Sequence, residues 1–172
     1  GWFTAGSWSW YLPAWATMAY VAALVPRTRA ERWPTTPISG WYREVLIPLG
    51  ALWFLGLAVI WNFTQNGLMA PLPYLPILNP LDLTTGFAAL LAVVAWRLRA
   101  ETVESAFFER LPYVAAVGAY LWFNLMLLRT AAHFLSIPYQ FEQLFRSQFV
   151  QAMLSLVWSA TALILMRHAA KR

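Results

Sequence analysis

A chain of 172 residues that is 60% hydrophobic and only 11% charged, with a mean hydropathy of +0.54, lies far from soluble domains, where about a quarter of residues are charged. The net charge of +5 and pI near 10.0 do not mark a nucleic-acid partner, because the cations stand at the ends of apolar runs and form no stripe. With no cysteine present, disulfides, zinc–thiolate centres and cysteine nucleophiles are excluded.

The chain opens at Gly1 with aromatics in place of an initiator Met or a basic signal region, and reads as a piece of a longer protein. The first apolar run, residues 7–26, is followed by a loop holding Arg27, Arg29, Arg32 and Arg43. A second run, 45–63, ends in Asn62, Gln65 and Asn66. Then comes PLPYLPILNPLDL, Pro71 to Leu83, a loop rich in proline whose only charge is Asp82. Its apolar character suits a segment lying in the membrane interface or folded back over a bundle, and its prolines limit its freedom. The last residues spell a helix start: Asn79 is an N-cap, Pro80 occupies the first helical position, and Asp82 meets the positive end of the helix dipole.

The third run, 80–98, leads to Arg97, Arg99 and Arg110, and the fourth covers 111–128. Asn124, Arg129 and His133 gather at the far end of the fourth, where Arg129 and His133, four apart, share a face if the helix continues. Pro138 followed by Phe141, Leu144 and Phe145 predicts a short interfacial helix before a fifth run at 149–166.

Each run matches the length of about 20 residues that a helix needs to cross a bilayer. Backbone groups in lipid must be satisfied internally, and the runs lack the alternation of barrel strands. The expected fold is therefore all-α: a polytopic membrane protein in which residues 1–172 form a single bundle of five transmembrane helices. Ten of twelve cations fall on one side, with Arg129 and Arg146 alone opposite. That split puts the amino end outside and the carboxyl end in the cytoplasm. Trp2, Trp8, Trp10 and Trp61 fit an outer aromatic belt, and Trp33, Trp41 and Trp96 an inner one. Trp15, Trp53, Trp122 and Trp158 read as packing residues. Small residues (Ala115, Gly118 and Ala119; Ser155 and Ser159) are expected to mark helix contacts.

The polar residues Asp82, Asn124, Arg129 and His133 belong to the outer third of such a bundle, and they are the candidate site, an outward-facing pocket with the proline stretch as its lid. Ionisable groups near membrane depth are costly and are usually paired or functional. A metal site is not expected, since His133 has no neighbouring histidine and His168 falls on the other side. No phosphate loop or serine elbow is present, and no cofactor is expected.

Three stretches, YLPILNPLDL (Tyr74 to Leu83), YLWFNLMLLRTAAHF (Tyr120 to Phe134) and QFVQAMLSLVWSATALILM (Gln148 to Met166), resemble the large polytopic bacterial membrane proteins of the domain of unknown function 2339 family. The resemblance covers roughly the carboxyl-terminal hundred residues. It implies a bacterial inner-membrane location and a longer chain with more helices, and brings no activity, cofactor or catalytic residue. Many of those proteins carry adjacent histidines after the LRT; here Ala132 precedes His133. Length and tryptophan content are also similar to the translocator and sensory proteins that bind porphyrins and sterols, but their tryptophan–proline motifs are not found in the first loop.

The leading expectation for function is a structural, scaffolding bundle of a large cell-envelope membrane protein, with membrane lipids and other transmembrane helices as partners. One alternative is a membrane enzyme acting on a lipid-linked or envelope substrate at the outer leaflet through Asp82, Arg129 and His133. The other is a transporter or small-ligand binder, which the uncharged helix cores argue against.

Overall fold

The structure, a computed structural model, describes residues 8–69, 72–101 and 106–171, with the side chains of 106–108 not described. Trp2, Pro71 and Arg172, which figured in the expected belt, loop and tail, lie outside the described residues. Six helices follow in order: α1 (Trp8–Arg29), α2 (Ser39–Thr64), α3 (Pro80–Ala100), α4 (Ala106–Phe134), α5 (Phe141–Arg146) and α6 (Gln148–Ala169). Apart from an isolated bridge between Met69 and Leu72, regular structure among the described residues is helical.

Four of these helices are long and apolar enough to cross a membrane: α2, α3, the Glu109–Phe134 stretch of α4, and α6. α1 has the length, at 22 residues. Its apolar character is diluted by Trp8, Trp10, Tyr11, Pro13 and Trp15 in the first two turns. Contacts divide the chain into two units, Gly1–Trp122 and Phe123–Arg172, with the boundary inside α4.

The first unit is built on α1, α2 and α3. Ala14, Met18, Val21 and Leu24 on α1 are buried together with Ile47, Ala51, Phe54 and Ala58 on α2, and with Ala88, Leu91, Ala95 and Leu98 on α3. The alanines on α2 and α3 recur seven apart, which keeps a narrow small-residue strip on each helix and lets the backbones approach closely. Dispersion contacts of this kind, and not water exclusion, hold helices together in lipid.

α2 begins earlier than its apolar run, at Ser39, and contains a π-helical turn at Tyr42–Leu46, closed by the Ile47 N–H bonding to the Tyr42 carbonyl. Pro48 explains the widening. It has no N–H to give, and its ring crowds the carbonyl four residues back, so the preceding turn takes one extra residue. The hydropathy pattern reports bilayer-length apolar stretches, while the helix itself runs on through Arg43 and Glu44.

Those two residues join an ionic cluster at this end of the unit. Glu101, just past α3, accepts from Arg29 at the end of α1 and from Arg43 Nη2 at 3.1 Å, while Arg99 lies 3.6 Å from Glu44. The end of α1 is closed by Thr35, fully buried, whose hydroxyl lies 2.7 Å from the Arg32 carbonyl and 3.0 Å from that of Arg27.

In the second unit Leu128, Ala131 and Ala132 of α4 pack with Leu144 of α5 and with Val150 and Leu154 of α6. The expected short helix is α5, and Glu142 and Arg146 pair along its exposed face. Two expectations are corrected here. Ala115, Gly118, Ala119, Ser155 and Ser159 are exposed and make no close helix contact within the described chain, because α4 before residue 120 and α6 after Leu154 have little protein around them. Trp53 and Trp158, read as packing residues, are also exposed, at 66% and 55%.

Candidate functional site

The end of the first unit opposite the ionic cluster is polar without being charged, apart from one carboxylate. Asn79, extended at φ −73° and ψ 154°, caps α3 by accepting the Asp82 N–H at 2.9 Å, and Pro80 follows as the first helical residue. The expected N–P–x–D start is therefore what forms. The same Asn79 uses its amide Nδ2 to reach the Leu75 carbonyl at 3.2 Å and the Asp82 carboxylate.

Asp82 is buried, with 1% of its surface exposed. Its Oδ2 accepts from Asn79 Nδ2 and from the Ile77 backbone N–H at 3.2 Å, and its Oδ1 accepts from the indole Nε1 of Trp122 at 3.1 Å. The Ile77 amide is aimed there by a left-handed backbone, φ +70°, that a β-branched residue adopts only under strain. A carboxylate taken out of water needs such donors, because an ionised group left bare in an apolar interior is costly, about 2.5–3.5 kcal/mol at the centre of a membrane helix.

Neighbouring polar groups are matched in the same way. Trp15 Nε1 donates to Thr84 Oγ1 at 2.7 Å, and Asn62 Nδ2 donates to Thr85 Oγ1 and to the Ala58 carbonyl, each at 2.7 Å. The Tyr11 hydroxyl donates to Gln65 Oε1. Hydrogen bonds thus tie α1, α2 and α3 to one another at this end. The proline stretch passes close by: Met69 and Tyr74 are buried, while Leu72, Leu75, Ile77 and Leu78 stay exposed. Gly67 permits that path, since its φ is +75° and a Cβ there would stand 3.0 Å from Asn79 Oδ1.

The other expected site residues lie on the stretch of α4 in the second unit. The helix does continue through His133, ending at Phe134. Arg129 is 1% exposed, whereas His133, one turn on, is exposed and meets the Phe134 ring at 5.2 Å. Asn124 is half-buried and its Oδ1 accepts from Trp158 Nε1 at 2.8 Å. Asp82 belongs to the first unit and these three to the second. Among the described residues no three His, Asp or Glu side chains come together in a group able to hold a metal.

Trp122 is the participant that sequence reasoning missed. A tryptophan deep in an apolar run reads as bulk, yet a buried indole N–H requires an acceptor. That requirement was the available signal, and Asp82 is the acceptor.

Buried hydrogen bonds around one carboxylate at one end of the unit, arginine–glutamate pairs at the other and apolar surfaces between are those of a multi-pass α-helical membrane protein. The chain belongs to the predicted membrane protein family DUF2339, whose family model matches residues 1–172, so kinship extends over the whole chain and not only its last hundred residues. No curated protein and no solved structure matches.

Proposed function

We propose that this chain is a structural helical bundle of a bacterial inner-membrane protein, and that its polar layer holds helices in register. The observation that carries this reading is Asp82: both carboxylate oxygens already accept internal donors from three separate residues. A catalytic acid or base would need an oxygen open to substrate. Buried polar groups that are matched in this way fix geometry at little net cost.

The bundle crosses the membrane five times, amino end outside and carboxyl end in the cytoplasm. Supporting the fifth crossing, α1 buries Ala14, Met18, Val21 and Leu24 in the same cluster as two span-length helices. Supporting the orientation, the ends that carry Arg29, Arg43 and Arg99 meet in one ionic cluster, as a shared cytoplasmic face requires. Labelling tests the topology. Ser39→Cys should react only from the cytoplasm and Gln65→Cys only from outside; reaction of both from one side would overturn it.

Arg129 favours a second reading, an outer-leaflet enzyme acting through Arg129 and His133 of the second unit, with Asn124 on the same helix. A guanidinium 1% exposed in a membrane helix marks function often enough to be tested. A lipid-linked phosphate that copurifies with the wild type and is lost in Arg129→Gln would support the enzyme. Its absence from both would support the scaffold.

A further inference from the structure

We propose that the arginine end of the first unit holds the headgroup of an anionic phospholipid, with Arg43 and Arg97 as its principal ligands. The inference rests on membrane residence and not on which side the cluster faces.

Among the described residues, seven arginines (27, 29, 32, 43, 97, 99 and 110) and four glutamates (31, 44, 101 and 109) occupy this end, an excess of three positive charges. The internal pairs do not consume that excess. Glu101 already serves both Arg29 and Arg43, and Glu44 serves Arg99. Arg97 lies one helical turn before Glu101 and so on the same face of α3. Its guanidinium makes no hydrogen bond or ion pair among the described residues, and neither does that of Arg32. Glu101, then, pairs with two cations, and a third, Arg97, stands one turn away along the same helix.

Two further donors lack acceptors. Arg43 gives Nη2 to Glu101, but its Nε is closed off from solvent and bonds to nothing, although the side chain as a whole is 29% exposed. Trp96 Nε1, one residue before Arg97, is buried and unbonded in the same way. A donor that has lost its water without finding a partner is destabilising. An anion that brings several acceptor oxygens removes that penalty and neutralises the excess charge together. A phosphodiester suits the arginine fork, which pairs with two oxygens through Nε and Nη, and Arg97 is exposed with that fork unpaired among the described residues.

The surroundings favour a lipid over a free phosphate. Trp33 is 83% exposed and Trp41 50%, beside an exposed Ile38 at the start of α2. Exposed tryptophans at the ends of apolar helices sit at headgroup level, where acyl chains cover their rings.

The test uses the purified chain in phosphatidylcholine nanodiscs with and without phosphatidylglycerol, reading retained lipid by native mass spectrometry. Wild type should retain phosphatidylglycerol in preference to phosphatidylcholine. Arg97→Gln should weaken that preference about fivefold, the ratio for ~1 kcal/mol per cation near a membrane surface, and Arg43→Lys, which keeps the charge for Glu101 but loses the fork, should weaken it by a smaller factor. Arg146→Gln in the second unit should leave it unchanged. Equal preference in wild type and both variants would overturn the proposal alone, as would displacement of the lipid by inorganic phosphate. Failure to enter phosphatidylcholine discs at all would remove the membrane reading and the proposal with it.

Discussion

The two ends of the first unit fasten the same three helices by opposite means. At one end long, flexible side chains make ion pairs that remain partly in water: Arg29, Glu101 and Glu44 are 53%, 44% and 52% exposed at their side chains. At the other end short side chains are sealed in, with Asn62, Asn79, Asp82 and Thr84 each no more than 3% exposed. Exposed ion pairs are screened and contribute roughly 0–1 kcal/mol. Buried hydrogen bonds contribute modestly when made and cost heavily when broken. The chain therefore concentrates its specificity at the neutral end, while the charged end stays adaptable.

Removing the acceptor at the neutral end is the hardest blow. Asp82→Ala strands Trp122 Nε1 and the Ile77 N–H, leaves Asn79 Nδ2 only the Leu75 carbonyl, and should cost about 3 kcal/mol or more, read as a lower midpoint of denaturant unfolding in micelles. Gly67→Ala comes next, at about 2 kcal/mol, because it forces a positive φ on a residue with a Cβ and drives that Cβ against Asn79. Asn79→Ala removes the cap of α3 and should cost about 1 kcal/mol by the same measurement. The smallest effect belongs to the charged end. Glu101→Gln should change stability by less than about 1 kcal/mol, and the difference should shrink as salt is added. If Glu101→Gln proved as damaging as Asp82→Ala, the contrast between the ends would fail.

Local signals were readable without a structure, and distant ones were not. Asn79, Pro80 and Asp82 lie within four residues, and their chemistry alone specifies a helix start. The short α5 was readable too, from Pro138 and the aromatic spacing after it. The Trp122 bond to Asp82 joins residues forty apart, and no local pattern announces which acceptor a buried indole will find. Small residues misled for a different reason. Alanine, glycine and serine permit close approach but do not require it, and among the described residues those on α4 and α6 stay exposed. Hydropathy missed the true start of α2, because Arg43 and Glu44 are helical yet belong to the ionic cluster and not to the apolar span.

The π turn ahead of Pro48 acts as a gear between two faces of one helix. Each residue of an α-helix advances the chain by about 100° around its axis, so one extra residue in a turn offsets everything before it from everything after. Downstream, Ile47, Ala51, Phe54 and Ala58 keep their heading into the core. Within the turn itself, Arg43 and Glu44 are carried to where Glu101 and Arg99 receive them. Deleting Val45, which lies between the two charges and Ile47, would leave the apolar seam in mesh and turn both charges away, uncoupling the membrane-facing register of α2 from its ionic one.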